Sequence, residues 1–75
     1  MAKKNVWTVP MEGGGWGNKL EGSSRFINKA STKQEAQKLG RERAQRDKVE
    51  HIVQKKDGAV GTRTNYAGDS RRARG

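Results

Sequence analysis

The chain has no cysteine, one proline and one histidine among its 75 residues. Without cysteine there are no disulfides and no thiol chemistry, and a single histidine leaves no ligand set for structural zinc. Aromatic residues make up 5% of the chain and apolar residues 29%. One small domain is all that such a chain can build, with too little bulk to enclose a substrate. No run approaches membrane-spanning length, and Met1 to Pro10 lacks an apolar core of signal-peptide length, so the expectation is cytoplasmic residence with no membrane partner. A mean hydropathy of -1.18 with 33% charged residues permits disorder. Alternating strand segments and a capped helix argue instead for a folded domain over residues 5–67, between a flexible start (1–4) and a disordered basic tail (68–75).

What the chain has in excess is positive charge: 17 Lys and Arg against 8 Asp and Glu, a formal net charge of +9. The densest basic block is the tail, where Arg71, Arg72 and Arg74 occur with no acid among the last six residues. Such an excess attracts polyanions, nucleic acid foremost, and also keeps a small protein soluble.

The clearest element is a helix from Thr32 to about Asp47. Thr32 followed by Glu35 is the capping-box spacing, and Ala36, Leu39, Gly40 and Ala44 form a narrow apolar stripe. Ahead of it, Val6, Trp7, Thr8, Val9 and Met11 read as a first strand ending near Pro10. Gly13, Gly14 and Gly15 supply a flexible hairpin loop into a second strand from Trp16 to about Glu21, with Trp16, Asn18 and Leu20 on one face. Trp7 or Val9 is expected to lie across from Trp16 or Leu20. Phe26 and Ile27 are too apolar for a solvated loop, and one of them should fill the layer between helix and sheet.

After the helix, Val49, Ile52 and Val53 mark a third strand. The Asp57-Gly58 pair predicts a two-residue type I′ turn returning Val60 to about Tyr66 as a fourth. That register sets Lys55 opposite Val60, Val53 opposite Thr62 and His51 opposite Thr64, with Val53, Val60 and Tyr66 on the inner face. The predicted fold is α+β: a small antiparallel sheet of two hairpins with one helix packed on one face, in the order β-β-α-β-β.

At this point Val6-Trp7-Thr8-Val9-Pro10, Gly15-Trp16, Glu21-Gly22-Ser23-Ser24-Arg25, Thr32-Lys33-Gln34-Glu35-Ala36, Lys56-Asp57-Gly58 and Asn65-Tyr66 are all in hand. With these the chain, over roughly residues 5–70, resembles a family of short uncharacterised bacterial and phage proteins classed as a domain of unknown function. The resemblance implies the same strand order and single helix, and no activity. In that pattern Arg43 and His51 stand where apolar residues are more usual, and Ser70 where a proline is.

No catalytic set is visible, and the chain is not expected to be an enzyme. The Gly-rich loop lacks the Gly-Lys-Ser/Thr that a phosphate-binding loop places at a helix mouth, since Gly17-Asn18-Lys19 falls inside a strand. His51 has no nucleophile or general-base partner and reads as structural. Arg43 and Asp47 are spaced for an i,i+4 ion pair. Glu35 and Asp57 are accounted for by cap and turn, which leaves no acid and base pair among the scattered carboxylates. No cofactor is implied.

Two sets of residues remain as binding candidates. Lys38, Arg41 and Arg46 on the helix, with Arg71, Arg72 and Arg74 in the tail, suit salt-dependent contacts to phosphates, against the plainer reading of a solvated basic face. Trp7, Trp16, Lys19 and Arg25 of the first hairpin suit stacking on bases, against the plainer reading of buried core indoles. The expected function is a small basic module that binds nucleic acid non-specifically through Lys and Arg. The rival is a protein-interaction module, for instance a phage-type protein docking on an acidic host protein through a hairpin edge or the helix face. Open sheet edges around so small a core also suit a homodimer.

Overall fold

The computed structural model describes residues 3–67, and the tail with Arg71, Arg72 and Arg74 lies outside them. Five strands and one helix follow in the order β1 (Val6–Pro10), β2 (Trp16–Leu20), β3 (Phe26–Ala30), α1 (Lys33–Asp47), β4 (Glu50–Gln54) and β5 (Val60–Asn65). The α+β class holds, with the single helix on one face of the sheet. Phe26 and Ile27, one of which is expected to fill the layer between helix and sheet, open a strand that the expected order lacks. The strand order is β3-β2-β1-β4-β5. The sheet is mixed rather than antiparallel throughout, because β1 and β4 pair in parallel at its centre, Val6 with His51 and Thr8 with Val53. A parallel pair requires a long crossover, and here β2, β3 and α1 together supply it.

The first hairpin turns at Gly13, Gly14 and Gly15, whose φ angles of 88°, 115° and 81° are open to glycine. Its register pairs Val6 with Leu20, Trp7 with Lys19, Val9 with Gly17 and Pro10 with Trp16. Trp7 and Val9 are therefore not opposite Trp16 or Leu20, as expected above; with side chains alternating along each strand, they occupy the other face of the sheet.

Helix α1 begins as its sequence dictates: Thr32 Oγ1 accepts from the Glu35 N–H at 3.2 Å. It ends at Lys48, which adopts a left-handed cap (φ 59°) and returns its N–H to the carbonyls of Ala44 and Gln45. Its buried residues are Ala36, Gly40 and Ala44, all small, so the helix axis comes close to the sheet. Leu39, read as part of the stripe, is exposed. The helix packs on β1, β2, β3 and β4, while β5 is exposed along all six residues.

The second hairpin has a three-residue loop. Lys55 N–H donates to Ala59 O at 2.7 Å and Gly58 N–H to Lys55 O at 2.9 Å, and Gly58 takes a φ of 93°. His51 opposes Thr64 and Val53 opposes Thr62 as expected, but a register shift between Val53 and Gln54 pairs Val60 with Gln54, not Lys55. That shift removes Val60 from the inner face and leaves it 51% exposed. Tyr66 packs, half-buried, against the cluster of Val6, Ala44 and Val49. Among the described residues no helix is long and apolar enough to cross a membrane.

Candidate nucleic-acid interface

The layer between helix and sheet is polar at its centre. Thr8 and Asn18 are fully buried and His51 nearly so. Asn18 Nδ2 donates to Asn28 Oδ1 at 2.7 Å and to the Ala36 carbonyl at 2.8 Å, which turns its Oδ1 toward the Thr8 hydroxyl that donates to it. The one hydroxyl proton is thereby spent. His51 Nε2, 2.7 Å from Thr8 Oγ1, must then be the donor of that pair, which fixes the neutral imidazole as the Nε2–H tautomer. Donors run in one direction from His51 through Thr8 and Asn18 to α1. Burial, reinforced by the charge of Arg41, holds the His51 pKa below the ordinary 6.5. The network is complete and roofed by Gly40, so it serves the fold; His51 alone of its members reaches the surface depression described next.

Because α1 stops short of β5, a groove of about 420 Å³ opens between them. Its helix wall is Gln34, Gln37, Lys38 and Arg41, spaced i, i+3, i+4, i+7 on one face; its strand wall includes Thr62, Thr64 and Tyr66, with His51 and Val53 behind. Among the described residues no carboxylate lies within ion-pair distance of Lys38 or Arg41. The other helix arginines differ. Arg43 Nε binds Asp47 Oδ2 at 2.8 Å, the i,i+4 pair expected from spacing, and Arg46 Nε lies 3.6 Å from Asp47 Oδ1. Arg46 is thus set apart from Lys38 and Arg41, at the helix C-terminus beside a buried acid. The Arg43 hydrogen bond, with the charges of Arg43, Lys3 and Arg46, holds the Asp47 carboxyl below its usual range against the opposing effect of burial.

The hairpin set is divided. Trp7 and Lys19 lie on the face away from the helix, whereas Trp16 lies on the helix face, with Lys33 Nζ 5.3 Å from its ring centroid. Arg25 is exposed in the turn before β3, its N–H donating to Ser23 Oγ at 3.1 Å. The structure brings Lys38 and Arg41 together, and it separates Trp7 from Trp16. Sequence reading missed Gln34, Gln37, Thr62, Thr64 and Tyr66 as neighbours of the helix cations. The helical spacing of Gln34, Gln37, Lys38 and Arg41 was there to be found; their apposition to β5 was not, because it depends on the pairing of β4 with β1.

A family model described as "Uncharacterized protein conserved in bacteria (DUF2188)" matches residues 6–66. The chain belongs to that family, whose match spans every strand and the helix. No curated protein and no solved structure matches it.

Proposed function

We propose that this member of an uncharacterised bacterial family is a small nucleic-acid-binding module that grips phosphates in the groove between α1 and β5. The observation that carries the reading is the pairing of two cations that have no acid partner among the described residues, Lys38 and Arg41, with the Thr62 and Thr64 hydroxyls across the groove. Charge-assisted and neutral donors converging on one cleft are what a phosphate oxygen requires. Fixed positive charge inside a concave wall also concentrates polyanions over the flat parts of the surface. Such contacts read the backbone and not the bases, so binding is largely independent of sequence.

The test is binding of a short duplex and a short single strand as salt is varied, for the wild type and for Lys38→Gln and Arg41→Gln. Each substitution should weaken binding for all sequences alike and lower the slope of log K against log salt by about 1. Absence of binding at low salt, or unchanged slopes in both variants, sinks the proposal. A second reading, an acidic protein docked on the same surface, is favoured by the exposure of β5 at the sheet edge. Pull-down that survives nuclease treatment and is lost on Arg41→Gln would support it.

A further inference from the structure

The face of the sheet opposite the helix carries a second set of residues in one line. Register places Phe26 of β3 beside Lys19 of β2, Lys19 beside Trp7 of β1, Trp7 beside Ile52 of β4, and Ile52 beside Arg63 of β5. Across five strands the row therefore reads aromatic, cation, aromatic, aliphatic, cation, with the aliphatic member, Ile52, fully buried beneath its neighbours. With neighbouring strands about 4.8 Å apart, the backbones at Trp7 and Phe26 are roughly 9.6 Å from one another, with Lys19 on the strand between them.

Both rings are held in place. Trp7 Nε1–H donates to Glu21 Oε1 at 3.3 Å, and Asn5 Nδ2 steadies the same carboxylate at 3.0 Å. Phe26 lies over Gly17, where an added Cβ would come within 2.5 and 2.7 Å of its ring carbons, so glycine is what lets the ring lie on the sheet. Lys19 and Lys29 hold their ammonium groups 5.9 and 5.8 Å from the Phe26 centroid. Both rings are half-buried. Hollows of about 420 Å³ beside Trp7 and about 510 Å³ beside Phe26 adjoin at Lys19 and Gln54, which line both.

We infer that this face is a platform for single-stranded nucleic acid, with bases stacked on Trp7 and Phe26 and phosphates held by Lys19 and Lys29, whereas Arg63 at the end of the row is paired with Glu50 at 3.3 Å. The inference rests on the nucleic-acid reading above and narrows its substrate. An aromatic ring can stack only on a base whose face is free, which a duplex does not offer, and alternation of rings with cations matches the alternation of bases with phosphates along a strand. Of the two lysines over Phe26, Lys29 is exposed and Lys19 half-buried, and both side chains are long enough to swing from the ring to an incoming phosphate.

The test uses the full chain with Trp16→Phe, which leaves Trp7 as the only indole, titrated with a twelve-nucleotide oligothymidine and with a duplex of the same length. The expected result is quenching of Trp7 emission by the single strand and not by the duplex. Phe26→Leu should weaken single-strand binding about tenfold or more, and Lys29→Gln, at an exposed position, should weaken it by a smaller factor. Thermal melting verifies that each variant is folded. Equal binding of both oligonucleotides with constant Trp7 emission and no effect of Phe26→Leu or Lys29→Gln overturns the inference. If Lys38→Gln and Arg41→Gln still reduce binding in that case, the phosphate groove stands without it. If no oligonucleotide binds at low salt, both fall.

Discussion

Thr8 Oγ1 and His51 Nε2 lie 2.7 Å apart beneath Gly40, and a Cβ at position 40 would sit 2.7 Å from each of them. At Gly40, the one position of α1 without a side chain, the helix therefore meets the sheet directly over polar atoms.

Gly40→Ala consequently pits two effects against each other. Helix propensity favours alanine by about 1 kcal/mol. Overpacking a fully hydrogen-bonded cluster costs about 1–3 kcal/mol and also separates donors from acceptors. Thr8, Asn18 and His51 are buried and hydrogen-bonded to one another or to their neighbours, so the expected outcome is net destabilisation of about 1–2 kcal/mol, read from urea denaturation. An increase in stability would show that the helix can lift without loss.

Asn18 is the member with most partners, and Asn18→Ala should be the costlier change. It leaves Asn28 Oδ1 and the Thr8 hydroxyl without the groups they meet in the native fold. Each buried polar group stranded in this way costs about 1–3 kcal/mol. Chemical denaturation measures the loss, and a change within 0.5 kcal/mol, roughly the range of an ordinary surface substitution, would mean that water has replaced the amide.

His51 makes stability depend on pH. Its folded pKa is lowered from 6.5, so the unfolded chain binds the proton more readily. Stability is then complete above pH 6.5 and is lost as pH falls below it toward the folded pKa. Thermal melting between pH 8 and 5 should show a falling midpoint, and His51→Gln should flatten that part of the curve. A midpoint independent of pH in the wild type would contradict a neutral, buried His51.

Asp47 acts in the same direction at lower pH. Its side chain is only 3% exposed and collects Arg43, Arg46 and Lys3 at 2.8, 3.6 and 3.8 Å. With the folded pKa below 3.8, its contribution is present above that value and fades as pH falls through the folded pKa. Asp47→Asn should cost about 1–3 kcal/mol at pH 7, chiefly through the charged hydrogen bond to Arg43. The gap between variant and wild type should narrow as pH drops below 3.8, which paired melting curves at pH 7 and pH 3 would reveal.

Local features were legible in the amino-acid sequence because their causes lie within a few residues. The Thr32 and Glu35 spacing starts the helix, the three glycines turn the first hairpin, Asp57-Gly58 turns the second, and Arg43 meets Asp47 one turn on. The Lys38 and Arg41 pair was legible too, as helix cations at neighbouring positions. What only the tertiary structure decided is what those pieces meet. The sequence has no local sign that β1 pairs in parallel with β4, since that contact joins residues some 45 positions apart and is set by burial of Val6, Thr8 and Ile52 in the whole sheet. That pairing brings His51 under the helix, places β5 beside Lys38 and Arg41, and aligns Phe26, Lys19, Trp7, Ile52 and Arg63 in one row. Register, with its strict alternation of faces, settled the fate of the two tryptophans: Trp7 and Trp16 are on one hairpin and on opposite sides of the sheet.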